Sequence, residues 1–250
     1  LLPFVKQLVK FSEFVIKDKK DEEKELTLRY VDDRLLAMPA VALMQVKKEI
    51  DYMLDLAEDN IRLSFSAMET SSVENGEKIE ETEHVIDFTN SALTKFLINL
   101  SPEVEQSDEK LIGSYFHVLN DVERIGDHAE NLFEIAEEMH DKKITFSNEA
   151  QEKLRLMFAT ITDMFKVSKV AFENLDKDLL PELSELEDKA DTLKKELTSS
   201  HFTRLAEGAC SIDCSPYYSS IISGLERVAD HLVNVGYSIT NPTGSQTENE

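Results

Sequence analysis

The sequence predicts an all-α protein built as a tandem of two antiparallel three-helix bundles. Apolar residues recur at intervals of three and four along six long stretches, which is the spacing of one buried helix face. The chain has only seven glycines and no tryptophan, and nowhere do apolar and polar residues alternate as they would in a half-buried strand. A polar motif of the first half also returns in the second half, which favours an internal duplication.

The first bundle is expected to contain three helices. Pro39 suits the first turn of a helix, where its missing N–H is not needed, and the segment 71–76 stops the pattern. The second helix is expected from about Glu77 to Leu100, and the third from about residue 107 to His140. The apolar positions expected in the core are Ala42, Val46, Ile50, Met53, Leu54, Ala57, Ile61, Phe65, Met68, Ile79, Ile86, Leu93, Leu97, Leu100, Val118, Val122, Ile125, Ala129, Leu132 and Ala136.

The second bundle repeats this plan after a break at residues 141–147. Pro181 is expected to open the fifth helix, which closes near Gly208, and Pro216 the sixth, which stops at Asn241. The expected core positions of the fourth and fifth helices are Leu154, Phe158, Ile161, Phe165, Ser168, Phe172, Leu175, Leu183, Leu186, Ala190, Leu193 and Leu197. The chain therefore divides into a lead-in of residues 1–37, a first bundle of residues 38–141, a second bundle of residues 142–240 and a disordered tail of residues 241–250.

The lead-in has two parts. Residues 1–17 are amphipathic, which suits either an interfacial helix that follows a membrane span or a helix packed on the domain. Residues 18–25 form a charged, solvated linker. No run of 18 apolar residues is present, so the sequence contains no membrane span of its own.

The net charge and the number of cysteines limit the classes of function that this chain can have. The formal net charge is −23, which excludes nucleic acid as a partner because no basic surface is left to displace counterions from phosphates. Such a chain suits cations. Only two cysteines occur, which argues against an oxidised, disulfide-bonded scaffold.

The duplicated motif consists of Glu, Asp and Asn four residues apart. On a helix such residues lie one above another, with Cβ atoms about 5–6 Å apart. Each copy, with a Glu/Asp pair from the preceding acidic helix, would form one oxygen-rich cluster if the two helices are neighbours. The motif residues are Glu123, Asp127 and Asn131 in the first half and Glu226, Asp230 and Asn234 in the second; the acidic pairs are Glu83 with Asp87 and Glu187 with Asp191.

Oxygen ligands of this kind suit Mg²⁺, Mn²⁺, Ca²⁺ or iron, and Zn²⁺ less well. A single acidic ladder on a polar helix face is commonly only a solvated surface, but its duplication favours a metal site. The ladder is expected on the face opposite the apolar arc. Arg124 and Arg227 could balance the charge or bind phosphate.

Other constellations carry less weight. His128 and His231 fall about 140° round the helix from the motif Glu, so they are expected at the edge of the core. Cys210 and Cys214 are expected to be reduced thiols. The spacings Glu81-x-x-His84 and Glu137-x-x-His140 leave a di-iron carboxylate enzyme open as a minor alternative. No catalytic triad, nucleophile elbow or phosphate loop is present, so we expect no enzymatic activity.

The two motif copies make residues 38–240 resemble the PhoU family, whose signature is a doubled Glu-x-x-x-Asp-x-x-x-Asn/Asp on tandem three-helix bundles. The match departs from the family where Glu80 corresponds to Ser184. The resemblance implies multinuclear iron or zinc clusters on the bundle surface. It also implies negative regulation of phosphate uptake and signalling.

The segment from Tyr30 to Leu43 resembles the junction in bacterial sodium/phosphate cotransporters between the membrane domain and a cytosolic PhoU-like domain. This implies a regulatory domain at the cytoplasmic face of the plasma membrane, with the membrane domain of the same parent chain as its partner. The alternative is a free cytoplasmic PhoU-type regulator that binds phosphate-signalling proteins. A homo-oligomer is compatible with either.

Overall fold

The structure, a computed structural model, describes residues 26–106 and 108–240. Across these residues the chain forms long α-helices joined by short turns and 3₁₀ helices, and no strand occurs in either range, so the predicted all-α fold is confirmed. The six long helices are α1 (Pro39–Thr70), α2 (Gly76–Leu100), α3 (Glu109–Lys142), α4 (Asn148–Asn174), α5 (Leu180–Ala206) and α6 (Ser215–Tyr237).

Local sequence accounts for where these helices begin. Pro39, Pro181 and Pro216 each lie in the first turn of a helix, where the fixed φ is suitable and no N–H is required. The Ser147 side chain accepts a hydrogen bond from the backbone N–H of Ala150 and so caps α4; such caps are typically worth about 1 kcal/mol.

Two groups of three helices pack around one continuous core. Helices α1, α2 and α3 contact one another, as do α4, α5 and α6, and the two groups meet mainly where α3 packs against α6, with α1 against α4 beside it. Fully buried side chains from both groups, among them Ile50, Val122, Phe165 and Leu232, belong to a single hydrophobic cluster. The core therefore runs through both bundles without a polar layer between them.

Leu175 differs from its predicted place in the core. Helix α4 ends at Asn174, and Leu175 follows in the left-handed conformation with φ 54° and 58% of its surface exposed. The three-and-four spacing continues through Leu175 in the sequence, but the helix does not. Ser71 and Lys143 end α1 and α3 in the same conformation.

The residues before α1 are attached to the bundle by a buried carboxylate. Glu49, 1% exposed, accepts hydrogen bonds from the backbone N–H groups of Arg29 (3.0 Å) and Tyr30 (2.6 Å), and Val31 is buried beside them. The predictions for the amphipathic segment 1–17, the linker 18–25 and the tail 241–250 lie outside the described residues. Among the residues that the structure does describe, no helix combines the length and the hydropathy needed to cross a bilayer.

Candidate metal centre

The acidic residues of the first half meet between α2 and α3. Glu83 projects from α2 and is only 5% exposed, while Glu123 and Asp127 on α3 are partly buried. Room for the Glu83 carboxylate comes from Gly126 on α3: a Cβ atom at that position would lie 2.6 Å from Oε2 and 3.2 Å from Oε1. The predicted meeting of the acidic pair with the ladder is therefore realised in this half through a glycine.

Burial and neighbouring negative charges raise the pKa values of two carboxylates in this cluster. Burial is the largest of the effects that together raise the pKa of Glu83 to about 8, and the charges of Asp87, Asp127, Glu130 and Glu123 follow it in that order. Burial and then Asp127 also raise the pKa of Glu123. A carboxylate that loses water and gains like charges holds its proton more tightly.

Both carboxylate oxygens of Glu83 are buried without a hydrogen-bond partner. The nearby guanidinium of Arg124 reaches Asp127 (3.3 Å) and Glu123 (3.8 Å), but it is 62% exposed and contacts the cluster from its solvent side. An unpartnered buried carboxylate is costly. A bound cation would satisfy these two oxygens as ligands. The residues of the first cluster therefore fit a hard metal ion.

The corresponding cluster of the second half is arranged differently. Burial and then the Asp230 and Asp191 charges raise the pKa of Glu187, and partial desolvation followed by the Glu226 charge raises that of Asp230. A lysine joins this group, because Lys194 Nζ lies 2.5 Å from Glu226 Oε1. The second cluster therefore contains its own cation.

The two asparagines lie at the seam between α3 and α6. Asn131 donates from Nδ2 to the backbone carbonyl of Asp127 (2.7 Å), and its side chain lines a small cleft with residues of α6. Asn234 donates to Asp121 Oδ1 on α3 (3.1 Å), which also accepts from His231 Nδ1 (2.8 Å). The structure therefore groups the carboxylates and leaves the asparagines at the seam, and their role as ligands stays a prediction.

Within residues 26–106 and 108–240, no three His, Cys, Asp or Glu side chains converge on one point as ready ligands. The carboxylates of the first cluster share a site but diverge, as like charges do. A cation would have to draw them together by rotations of the partly buried Glu123 and Asp127 side chains toward Glu83.

The spacings Glu81-x-x-His84 and Glu137-x-x-His140 do not form a di-iron carboxylate site in the bundle. Glu81, His84, Glu137 and His140 are all exposed, whereas a di-iron carboxylate site of a helical bundle is built from inward-projecting side chains. His140 Nδ1 instead donates to the Ser71 carbonyl at the end of α1 (2.7 Å).

Cys210 and Cys214 are free thiols. The Cys210 Sγ lies 3.9 Å from His201 Nδ1, and Cys214 Sγ contacts the Thr145 carbonyl. His128 and His231 are half-buried with ring centroids 5.7 Å apart, which agrees with their predicted place at the edge of the core.

The sequence only weakly predicts three residues that shape the two clusters and the seam. Gly126 lies in the interior of α3, where glycine is unfavourable, and this favours a close approach of another element. Lys194 falls on the same helix face as Asp191, but it pairs with Glu226 of α6, a contact that spacing within α5 does not reveal. Asp121 precedes the repeated motif and pairs across the seam with His231, a contact that no spacing within one helix reveals.

The structure places a duplicated acidic motif on two packed groups of three helices, and comparison with known proteins identifies the family. The model of the PhoU domain matches residues 50–136 and 154–239. These two ranges cover most of the chain and contain both motif copies, so the chain belongs to the PhoU family.

Relatives with this domain are known from several bacteria. The phosphate-specific transport system accessory protein PhoU homolog 1 of Thermotoga maritima is 27% identical over 203 residues, which cover 76% of this chain and 82% of the relative. The phosphate-specific transport system accessory protein PhoU homolog of Synechocystis sp. is 27% identical over 209 residues, which cover 80% of this chain and 88% of the relative.

Solved structures support the same fold. The structure is similar to PhoU from Pseudomonas aeruginosa, with a TM-score of 0.73 at 20% identity over 79% of this chain and 94% of that one. It is equally similar to the phosphate transport system regulatory protein PhoU from Streptococcus pneumoniae, with a TM-score of 0.74 at 20% identity over 82% and 96% of the two chains. At this identity the likeness bears on the fold alone.

Proposed function

We propose that this PhoU-family chain regulates phosphate transport as an accessory protein, by binding to transport or phosphate-signalling proteins and not by catalysis. The observation that carries the proposal is the match of the PhoU domain over both halves of the chain, together with relatives named as accessory proteins of phosphate-specific transport. The acidic surface, with a formal net charge of −23, also suits a partner or ligand that is positively charged.

The regulatory surface is proposed to depend on bound metal. The carboxylates of Glu83, Asp87, Glu123 and Asp127 supply hard oxygen donors, for which Mg²⁺, Mn²⁺, Ca²⁺ and iron are suitable; the family resemblance favours iron or zinc. The unpartnered oxygens of Glu83 support this proposal. A metal here would join α2 to α3 and so fix the shape of the first bundle.

A second candidate is the regulatory domain of a sodium/phosphate cotransporter. The anchored lead-in favours it, because Glu49 holds the backbone of Arg29 and Tyr30 against α1 and would transmit movement between the bundle and a preceding domain. The names of the relatives support the accessory-protein proposal better. Blotting separated membrane and soluble fractions of native cells distinguishes the two, because only a transporter domain gives a large band in the membrane.

Phosphate uptake in cells that lack the native gene tests the regulatory function. We expect uptake at high external phosphate to rise without the protein and to return to normal with the wild-type chain. The double variant Glu123→Ala/Asp127→Ala should fail to restore it, whereas Glu152→Ala/Glu196→Ala, which removes two exposed carboxylates elsewhere, should restore it fully. Uptake that does not respond to the deletion would refute the regulatory function.

A further inference from the structure

We infer that the two acidic clusters of this chain are not equivalent: the first binds a metal ion, and Lys194 takes the place of the metal in the second. The inference rests on the metal binding proposed above. It concerns which residues of this chain hold the ion, and it predicts one metal-binding cluster per chain although the motif is duplicated.

The first difference lies on the ladder helices. Gly126 of α3 corresponds to Ala229 of α6 in the repeat. A Cβ at Gly126 would overlap the Glu83 carboxylate, so burial of that carboxylate depends on the missing methyl group. At Ala229 the methyl group is present, and Glu187, the counterpart of Glu83, is less buried than Glu83.

The second difference lies on the acidic helices. Asp87-x-x-Asn90 in α2 corresponds to Asp191-x-x-Lys194 in α5. The Asn90 Oδ1 atom is buried without a partner, as are both oxygens of Glu83, and the two residues lie two helical turns apart on one face of α2. The first cluster thus keeps unpartnered carboxylate oxygens and has no lysine at the position of Lys194, an arrangement that suits a bound cation.

The second cluster lacks unpartnered acceptors of this kind among its described side chains. Lys194 Nζ contacts Glu226, whose side chain is 16% exposed, and Lys195 Nζ lies 3.7 Å from Asp191. A metal ion would have to displace the ammonium group of Lys194 and would then be repelled by it.

The first cluster also has a basic neighbour, Arg124, but its geometry differs from that of Lys194. Its guanidinium approaches Glu123 and Asp127 at 3.8 and 3.3 Å from the solvent side. It makes no contact with Glu83 or Asn90, whose oxygens remain unpartnered. Arg124 therefore reduces the net negative charge of the first cluster but leaves the oxygens of Glu83 uncontacted.

Exchange of the distinguishing residues between the two halves tests the inference. Protein freed of metal with a chelator is loaded with Mn²⁺ or, without oxygen, with Fe²⁺, and bound metal per chain is measured by mass spectrometry after gel filtration. Glu83→Gln/Asp127→Asn should weaken metal binding by about tenfold or more, since even supporting groups around a metal have effects of that size. Glu187→Gln/Asp230→Asn should leave it unchanged.

The exchange variants give opposite expectations. Asn90→Lys should abolish metal binding, with Ser91→Lys on the solvent side of α2 as its control. Ala229→Gly/Lys194→Asn should raise the metal bound per chain toward a doubling, with Lys189→Asn on α5 as its control. The gain cannot arise from misfolding, and circular dichroism checks the fold of the variants that lose metal.

Two results would overturn the inference in different ways. If both carboxylate pairs contribute equally to binding, the clusters are equivalent. If the Ala229→Gly/Lys194→Asn variant binds no additional ion, these two residues do not exclude a metal from the second cluster. In either case only the inference fails. If the wild-type chain binds neither Mn²⁺ nor Fe²⁺, the metal dependence proposed for the regulatory surface fails with it.

Discussion

At the scale of single residues, the first cluster depends on the absence of a side chain at Gly126, which leaves room for the Glu83 carboxylate. The Glu83 carboxylate occupies the space that a Cβ of Gly126 would fill. Glycine in a helix interior costs about 1 kcal/mol relative to alanine, and burial of an unpaired carboxylate adds a further cost. Without metal, the site therefore lowers the stability of the folded protein. Such a local cost is expected where residues are arranged to bind a ligand.

We expect Gly126→Ala to stabilise the metal-free protein and to weaken metal binding. The new methyl group would displace the mobile end of Glu83 toward solvent, and the helix would gain about 1 kcal/mol in propensity. Urea unfolding with a chelator present measures the first effect and Mn²⁺ titration the second. A large loss of stability would instead show that Ile86, whose Cδ1 would lie 3.2 Å from the new atom, cannot move aside.

Asp51 predicts a pH dependence of stability outside the metal centre. Its pKa is raised from 3.8 to about 6, chiefly by burial, with the charge of Lys47 opposing the shift and those of Glu173 and Asp55 adding to it. Because the folded-state pKa is the higher one, the stability contributed by protonated Asp51 is present below pH 3.8 and is lost as the pH rises through about 6.

Asp51→Asn should therefore stabilise the chain at pH 7.5 by about 1–3 kcal/mol, the size that such a shift implies. At pH 4 the two proteins should differ little. Urea unfolding at both pH values measures this difference. The matched control is Asp59→Asn, an exposed carboxylate on the same helix, and equal effects of the two substitutions would mean that net charge alone is responsible.

At the scale of the elements, the helix ends are set by local chemistry, and Leu175 is one of three residues with a side chain that end a helix in left-handed backbone. Leu175 adopts φ 54° after α4 and is 58% exposed, although left-handed backbone costs a residue with a side chain roughly 1–2 kcal/mol. Glycine is the usual residue at this position. The exposed leucine side chain offers little burial to offset the cost.

Leu175→Gly should consequently raise the free energy of unfolding by about 1 kcal/mol relative to Leu175→Ala. Both substitutions remove the side chain beyond Cβ, so their difference isolates the backbone strain. Thermal and urea unfolding of the two variants measure it. No difference, or a more stable alanine variant, would show that the turn readjusts without strain.

The sequence predicts the helices better than it predicts the contacts between them. Pro39, Pro181 and Pro216 mark helix starts, and the core positions from Ala42 to Phe65 are buried as expected, because periodicity within one helix is a local property. The burial of Glu83 and the ion pair of Lys194 depend on the register of one helix against another. Leu175 departs from its predicted place because the apolar spacing continues past the end of α4.

At the scale of the whole molecule, the two bundles share one hydrophobic core. Helix α3 packs against both α1 and α6, and Asp121 of α3 accepts hydrogen bonds from His231 and Asn234 of α6 at the seam. Removal of one bundle would expose the buried face of the other. We therefore expect the described residues to unfold as one cooperative unit.

This cooperativity gives a prediction for hydrogen exchange. A ligand that binds only the folded state stabilises by RT ln(1 + [L]/Kd), about 2.7 kcal/mol at a free concentration of 100 Kd. If Mn²⁺ binds the first cluster, the slowest-exchanging amides of α4, α5 and α6 should gain as much protection as those of α1, α2 and α3, because they exchange through the same global opening. The Glu83→Gln/Asp127→Asn variant should show no gain in either bundle. Protection that rises in α1–α3 alone would show that the bundles open independently. In that case a metal in the first bundle would not affect, through global stability, a partner bound to the second bundle.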